Sequence, residues 1–149
     1  MISTRLVKLI ETNWEEIARR LIRSIRENPE TQAVAARPEA ETKEWCREIL
    51  ENLSYLLLAK KDQETYRRFQ LLGRMRFEEN IPLHEAVLRM QLLKAKILGF
   101  VHEEAISMTV IQVYAQEELE HRIGRFFDAL IYHLVRGYES ASERASRVA

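Results

Sequence analysis

Apolar residues recur along this chain at spacings of three and four, the signature of one-sided helices. In the first segment Leu6, Ile10, Trp14, Ile17, Leu21 and Ile25 form one stripe, with Arg19, Arg20, Arg23 and Glu27 off it. Ser3 reads as its N-cap, and Asn28-Pro29 as its stop. Residues 29–41 read as a loop that holds a short helical turn. The second helix spans about 41–60, with Trp45, Ile49, Leu53, Leu56 and Leu57 inward and Lys60 and Lys61 suited to its C-terminus. Asp62 reads as the N-cap of a third helix over 63–79, with Tyr66, Phe69, Leu72 and Met75 or Arg76 on one face. Ile81-Pro82-Leu83-His84-Glu85 restarts the chain as a fourth helix, which turns Ala86, Met90, Leu93, Ile97, Phe100 and Val101 inward. The fifth is expected from Ser107 to Tyr138, with Val110, Val113, Ile123, Phe126, Phe127, Leu130, Leu134 and Tyr138. Its polar middle, residues 116–122, reads as a kink or a solvent-facing stretch.

The expected fold is therefore all-α, a five- or six-helix bundle, with a globin-like arrangement without haem as one variant. Residues 1–139 form the domain, and 140–149, small and polar, read as a frayed helix end or a linker. Gly73 and Gly99 lie inside helices, where glycine costs about 1 kcal/mol against alanine. That cost predicts close helix–helix approach at both.

Composition narrows the function classes. With 149 residues there is length for one substantial core. Four Gly and three Pro leave few turns for a sheet protein. Lys plus Arg and Asp plus Glu number 23 each, so no overall positive field draws nucleic acid or an anionic membrane. No apolar run suits a signal peptide or a membrane span. The lone Cys46 fits a reducing compartment, and the location expected is cytoplasmic.

Few side chains are set out for catalysis. Glu118-Leu119-Glu120-His121 holds one Glu-x-x-His, half of a helical di-iron site, without a second copy. Residues 63–79, where a globin would carry its proximal histidine, contain none. No metal or cofactor is expected. Cys46 reads as a half-buried small hydrophobe rather than a nucleophile. Arg67, Arg68, Arg74 and Arg76 make a locally basic stretch that could meet an acidic partner, or pair with nearby glutamates instead. Trp14, Trp45, Phe69, Met75 and Met90 are the candidate lining of an apolar ligand pocket, although core packing explains the same spacing.

The stretch Leu71-Leu72-Gly73-Arg74-Met75-Arg76-Phe77-Glu78-Glu79-Asn80-Ile81-Pro82-Leu83-His84-Glu85-Ala86-Val87, continuing to Leu92-Leu93-Lys94, resembles the N-terminal domain of RsbRD-type RsbT co-antagonist proteins. Trp14-Glu15-Glu16-Ile17, and Phe127-Asp128-Ala129-Leu130 leading to Gly137-Tyr138-Glu139, fit the same likeness. The resemblance implies a non-catalytic helical input domain of bacterial stress-response or kinase-type signalling, with an output domain or kinase as protein partner. It implies paired domains too, so a homodimer built on the first and last helices is expected. Two other readings stand beside it: a helical sensor with an apolar ligand pocket and, below that, a helical metalloenzyme.

Overall fold

A computed structural model describes residues 4–58, 62–104 and 109–148. Ser3, Lys60, Lys61 and Ser107, to which the sequence assigns helix ends, lie outside these residues. The described chain is all-α: α1 (Thr4–Thr12), α2 (Trp14–Glu27), α3 (Gln32–Ala35), α4 (Glu39–Leu50), α5 (Leu53–Leu58), α6 (Gln63–Glu78), α7 (Leu83–Glu104) and α8 (Val110–Val148). None of these helices is long and apolar enough to cross a membrane.

The helices outnumber the five or six expected because asparagines interrupt two of them and residues 29–41 hold α3. Asn13 donates its side-chain amide to the Leu9 carbonyl at 2.8 Å and separates α1 from α2. Asn52 does the same to Glu48 between α4 and α5. Such side chains compete with the helical ladder for its carbonyls. The apolar stripe nevertheless runs across the first break. Leu6, Ile10, Ile17, Leu21 and Ile25 are all buried within this one chain. Of the stripe only Trp14 remains half-buried, so the first helix offers little of the face expected to meet a second copy.

The turn from α6 to α7 follows from its residues. Asn80 has φ of 60°, the left-handed conformation that ends helices. The Ile81 N–H returns to the Arg76 carbonyl and the Asn80 N–H to the Phe77 carbonyl, which makes a Schellman ending. Ile81 is buried, and Pro82 then leads into α7, its carbonyl accepting from the Glu85 and Ala86 N–H groups. Upstream, Asp62 caps α6 as expected, its carboxylate accepting from the Thr65 N–H at 3.0 Å.

α6 lies alongside α8 in the parallel sense, and their contacts advance together from Tyr66–His133 to Phe77–Tyr138. Two glycines make the closest approach. A Cβ on Gly73 would overlap the Leu134 carbonyl oxygen, and one on Gly137 would overlap that of Gln70. Gly99 differs: a Cβ there meets nothing within 4 Å, so the close approach expected at Gly99 is absent. The cost of that glycine has no packing explanation.

α8 is one helix of 39 residues. The polar stretch 116–122 does not interrupt it, and Leu119 inside that stretch is buried. The helix continues to Val148, with Ala141 buried and residues 143–148 exposed. At the opposite end Val110 and Val113 are exposed, contrary to the inward positions expected from their spacing.

Candidate functional site at a buried arginine pair

The most unusual chemistry lies inside the motif stretch, where α4, α6 and α7 meet. Arg89 is 4% exposed and lies over the Trp45 indole, its guanidinium carbon 4.2 Å from the ring centroid. Arg76 is nearly as enclosed and pairs with Glu79 at 3.2 Å. Arg37 pairs with Glu41 at 2.7 Å near the same place. Among the described residues, the Nε atoms of Arg76 and Arg89 are buried without a hydrogen-bond partner. Burial of an unpaired charge is costly, so the surroundings of Arg89 call for an explanation.

The local electrostatics show the imbalance. Burial pulls the Arg89 guanidinium down to about 10, and neighbouring Arg76 pushes the same way, against Glu79 and Glu41. Arg89 therefore remains charged at neutral pH. Glu41 is held below the usual carboxylate range, first by its hydrogen bond to Arg37. The two glutamates are thus engaged by the two outer arginines. Arg89 has the face of an indole in place of a carboxylate.

Glu85, one turn before Arg89, does not compensate it by hydrogen bonding. Its carboxylate accepts from the Ala33 N–H at 2.8 Å and the Val34 N–H at 3.2 Å. It thereby ties the start of α7 to α3. Beside the arginines, burial pushes the Cys46 thiol up to about 12, which keeps it protonated and unreactive at neutral pH. Cys46 is thus a small hydrophobe as expected, though fully rather than half buried.

The remaining candidates are dispersed. Of the five proposed pocket residues, Trp45 alone belongs to the arginine site. Trp14 is half-buried between Lys43 and Arg47, each 5.9 Å from its ring centroid. Phe69 packs edge-on against Phe126, Met90 is buried, and Met75 is exposed on α6. An open groove of about 470 Å³ runs between α2 and α4, but charged side chains such as Glu15, Arg19, Arg23 and Lys43 line it.

Nor do the four arginines form one surface. Arg67, Arg68 and Arg74 are exposed, with Arg68 on Glu64 and Arg74 on Glu78 within the same helix. Only Arg76 turns inward. Glu118 of the Glu-x-x-His pairs with Arg122 at 3.0 Å. No group of three or more His, Cys, Asp or Glu among the described residues could hold a metal ion.

Sequence reasoning missed Arg89 and Glu85 as buried groups. A signal was present: both fall at four-residue steps before Leu93, Ile97 and Val101, which continue the same buried line. No family model matches the chain, and no curated protein matches it either.

Proposed function

We propose that this chain is a non-catalytic regulatory module that acts through protein–protein contact, as its resemblance to RsbRD-type input domains implies. The observation that carries the reading is the form of α8. At 1.5 Å per residue its 39 residues extend about 58 Å. Leu119 to Ala141 thread the core, whereas Val110, Ile111 and Tyr114 at its start are 71%, 76% and 68% exposed. A helix with an apolar, solvent-facing end and a buried middle suits the passing of a contact at one end to the body of the domain.

The occupant proposed for that end is a second copy of the chain, in a two-fold contact that uses the same patch twice. A signalling output domain or kinase would be the further partner, and the cytoplasm the location. Light scattering at tens of micromolar tests the first step. A mass near twice 17.6 kDa is expected. The double variant Ile111→Glu/Tyr114→Glu should give folded monomers with unchanged helicity. A monomeric wild type would overturn the dimer.

The alternative of a small-ligand sensor draws support from a different observation, the unpaired Arg89 on Trp45. It does not depend on the dimer.

A further inference from the structure

Around Arg89 the arginines are unevenly paired. Arg37, Arg76 and Arg89 face Glu41 and Glu79, and each glutamate already serves one of the outer arginines. Arg89, the most deeply buried of the three, is left without a carboxylate on its guanidinium among the described residues. Glu85 is committed to the backbone of α3. The Trp45 indole covers one face of the Arg89 guanidinium, so the edge of the group is what remains to recognise a ligand. On that edge the Nε–H has no partner among the described residues, and the same is true of Arg76.

We infer that Arg89 and Arg76 together form a receptor for a small monocarboxylate anion. The guanidinium edge presents Nε and Nη donors in a plane, and a carboxylate matches that fork with two parallel hydrogen bonds. A single negative charge matches the one guanidinium, Arg89, that no carboxylate pairs among the described residues. A phosphate dianion would exceed it and would be repelled by the adjoining Glu41 and Glu79. The depth of both Nε atoms restricts entry to a small group, of the size of formate, acetate or propionate. The site is separate from the exposed end of α8, so the inference holds or fails whether the chain is a monomer or a dimer.

The test uses the full chain at neutral pH. Sodium acetate is titrated against sodium chloride and sodium phosphate at matched ionic strength. Two readouts are followed: the arginine Nε–Hε cross-peaks in nitrogen-15 spectra, and the thermal midpoint. Acetate should shift two of those cross-peaks along one saturable curve and raise the midpoint as RT ln(1 + [L]/Kd). Arg76→Gln should remove one of the two peaks and weaken acetate at least tenfold while the helicity stays unchanged. Arg89→Gln should abolish binding. Arg76 carries the decision should Arg89→Gln fail to fold. The inference is overturned if no cross-peak shifts saturably up to about 100 mM acetate, a hundredfold above a millimolar Kd. It is likewise overturned if chloride gives the same shifts, if phosphate binds more tightly than acetate, or if Arg76→Gln binds acetate as the wild type does.

Discussion

Replacing one glycine by alanine should have opposite effects at two helical positions of this chain. On Gly73 a new Cβ would overlap the Leu134 carbonyl oxygen and lie 2.7 Å from the Tyr138 nitrogen, where ordinary contact begins at 3.4 Å. Both are backbone atoms of α8, so no side chain can rotate away. The two helices must separate along their whole shared seam. Overpacking costs about 1–3 kcal/mol, and a clash against backbone belongs at the upper end. Alanine recovers about 1 kcal/mol of helix propensity, which leaves a net loss of about 2 kcal/mol. At about 2–4 °C per kcal/mol for a chain of this size, the midpoint should fall by about 4–8 °C. Gly99→Ala gains the same propensity and meets nothing, so its midpoint should rise by about 2–4 °C. Thermal and urea unfolding followed by circular dichroism at 222 nm (the helix band) measures both. A Gly73→Ala protein as stable as wild type would refute the seam, whatever Gly99→Ala does.

Three further perturbations test separate contacts. Glu85→Ala should lower stability by about 2–4 kcal/mol, because it strips the acceptor from the Ala33 and Val34 N–H groups, whereas Glu85→Gln, which keeps an acceptor, should cost clearly less; equal urea midpoints for the two would show that the capping contact is unimportant. Burial first, and then Arg136, holds His133 below its usual 6.5, so the folded state takes up a proton less readily than the unfolded chain; stability is full above 6.5 and should decline as the pH falls below it, and His133→Phe, which keeps a ring on Tyr66, should flatten that decline. Cys46, fully buried, should resist iodoacetamide in the folded protein and react once urea unfolds it; rapid alkylation of the native chain would contradict its enclosure.

What the sequence discloses of this molecule depends on whether the deciding interaction is local. The Asp62 cap, the restart at Pro82 and the inward face of α7 rest on neighbours within a turn or two, and periodicity is enough to find them. Gly73 was legible because a helix-interior glycine carries a cost that something must offset. Gly99 carries the same cost, and no local rule separates the two; the difference is whether another backbone lies opposite. Val110 and Val113 repeat the spacing of core residues, but α8 begins beyond the body that would cover them. Small residues near the end of α8 resemble a tail in isolation. Ala141 is nevertheless buried, and just before it Gly137 packs against the Gln70 backbone of α6. Arg89 and Glu85 were the hardest to read. A charged residue on a helix is usually solvated, and only their register with Leu93, Ile97 and Val101 points inward.

The arginine site and the long helix are mechanically adjacent, and this leads to one more expectation. Arg76 stands one turn after Gly73 on α6, and Gly73 has no slack against α8. Tyr138 of α8 donates its hydroxyl to the Ile81 carbonyl at 2.7 Å, in the turn that joins Arg76 to α7 and Arg89. An anion that draws Arg76 and Arg89 together must therefore act on a segment fastened to α8 at two points. Packed interfaces of this kind shift as units rather than deform gradually. If acetate binding and pairing through Ile111 and Tyr114 are both established, they should be coupled. Linkage requires the coupling to be reciprocal: the factor by which acetate changes the dimer dissociation constant must equal the factor by which dimerisation changes the acetate affinity. A coupling of about 1–3 kcal/mol corresponds to a change of about 5- to 150-fold. Acetate affinity is compared between wild type and the monomeric Ile111→Glu/Tyr114→Glu variant, and the dimer constant is measured with and without saturating acetate. Equal affinities in the two proteins would show that the Gly73–Gly137 seam holds α6 to α8 without transmitting anything between the two sites.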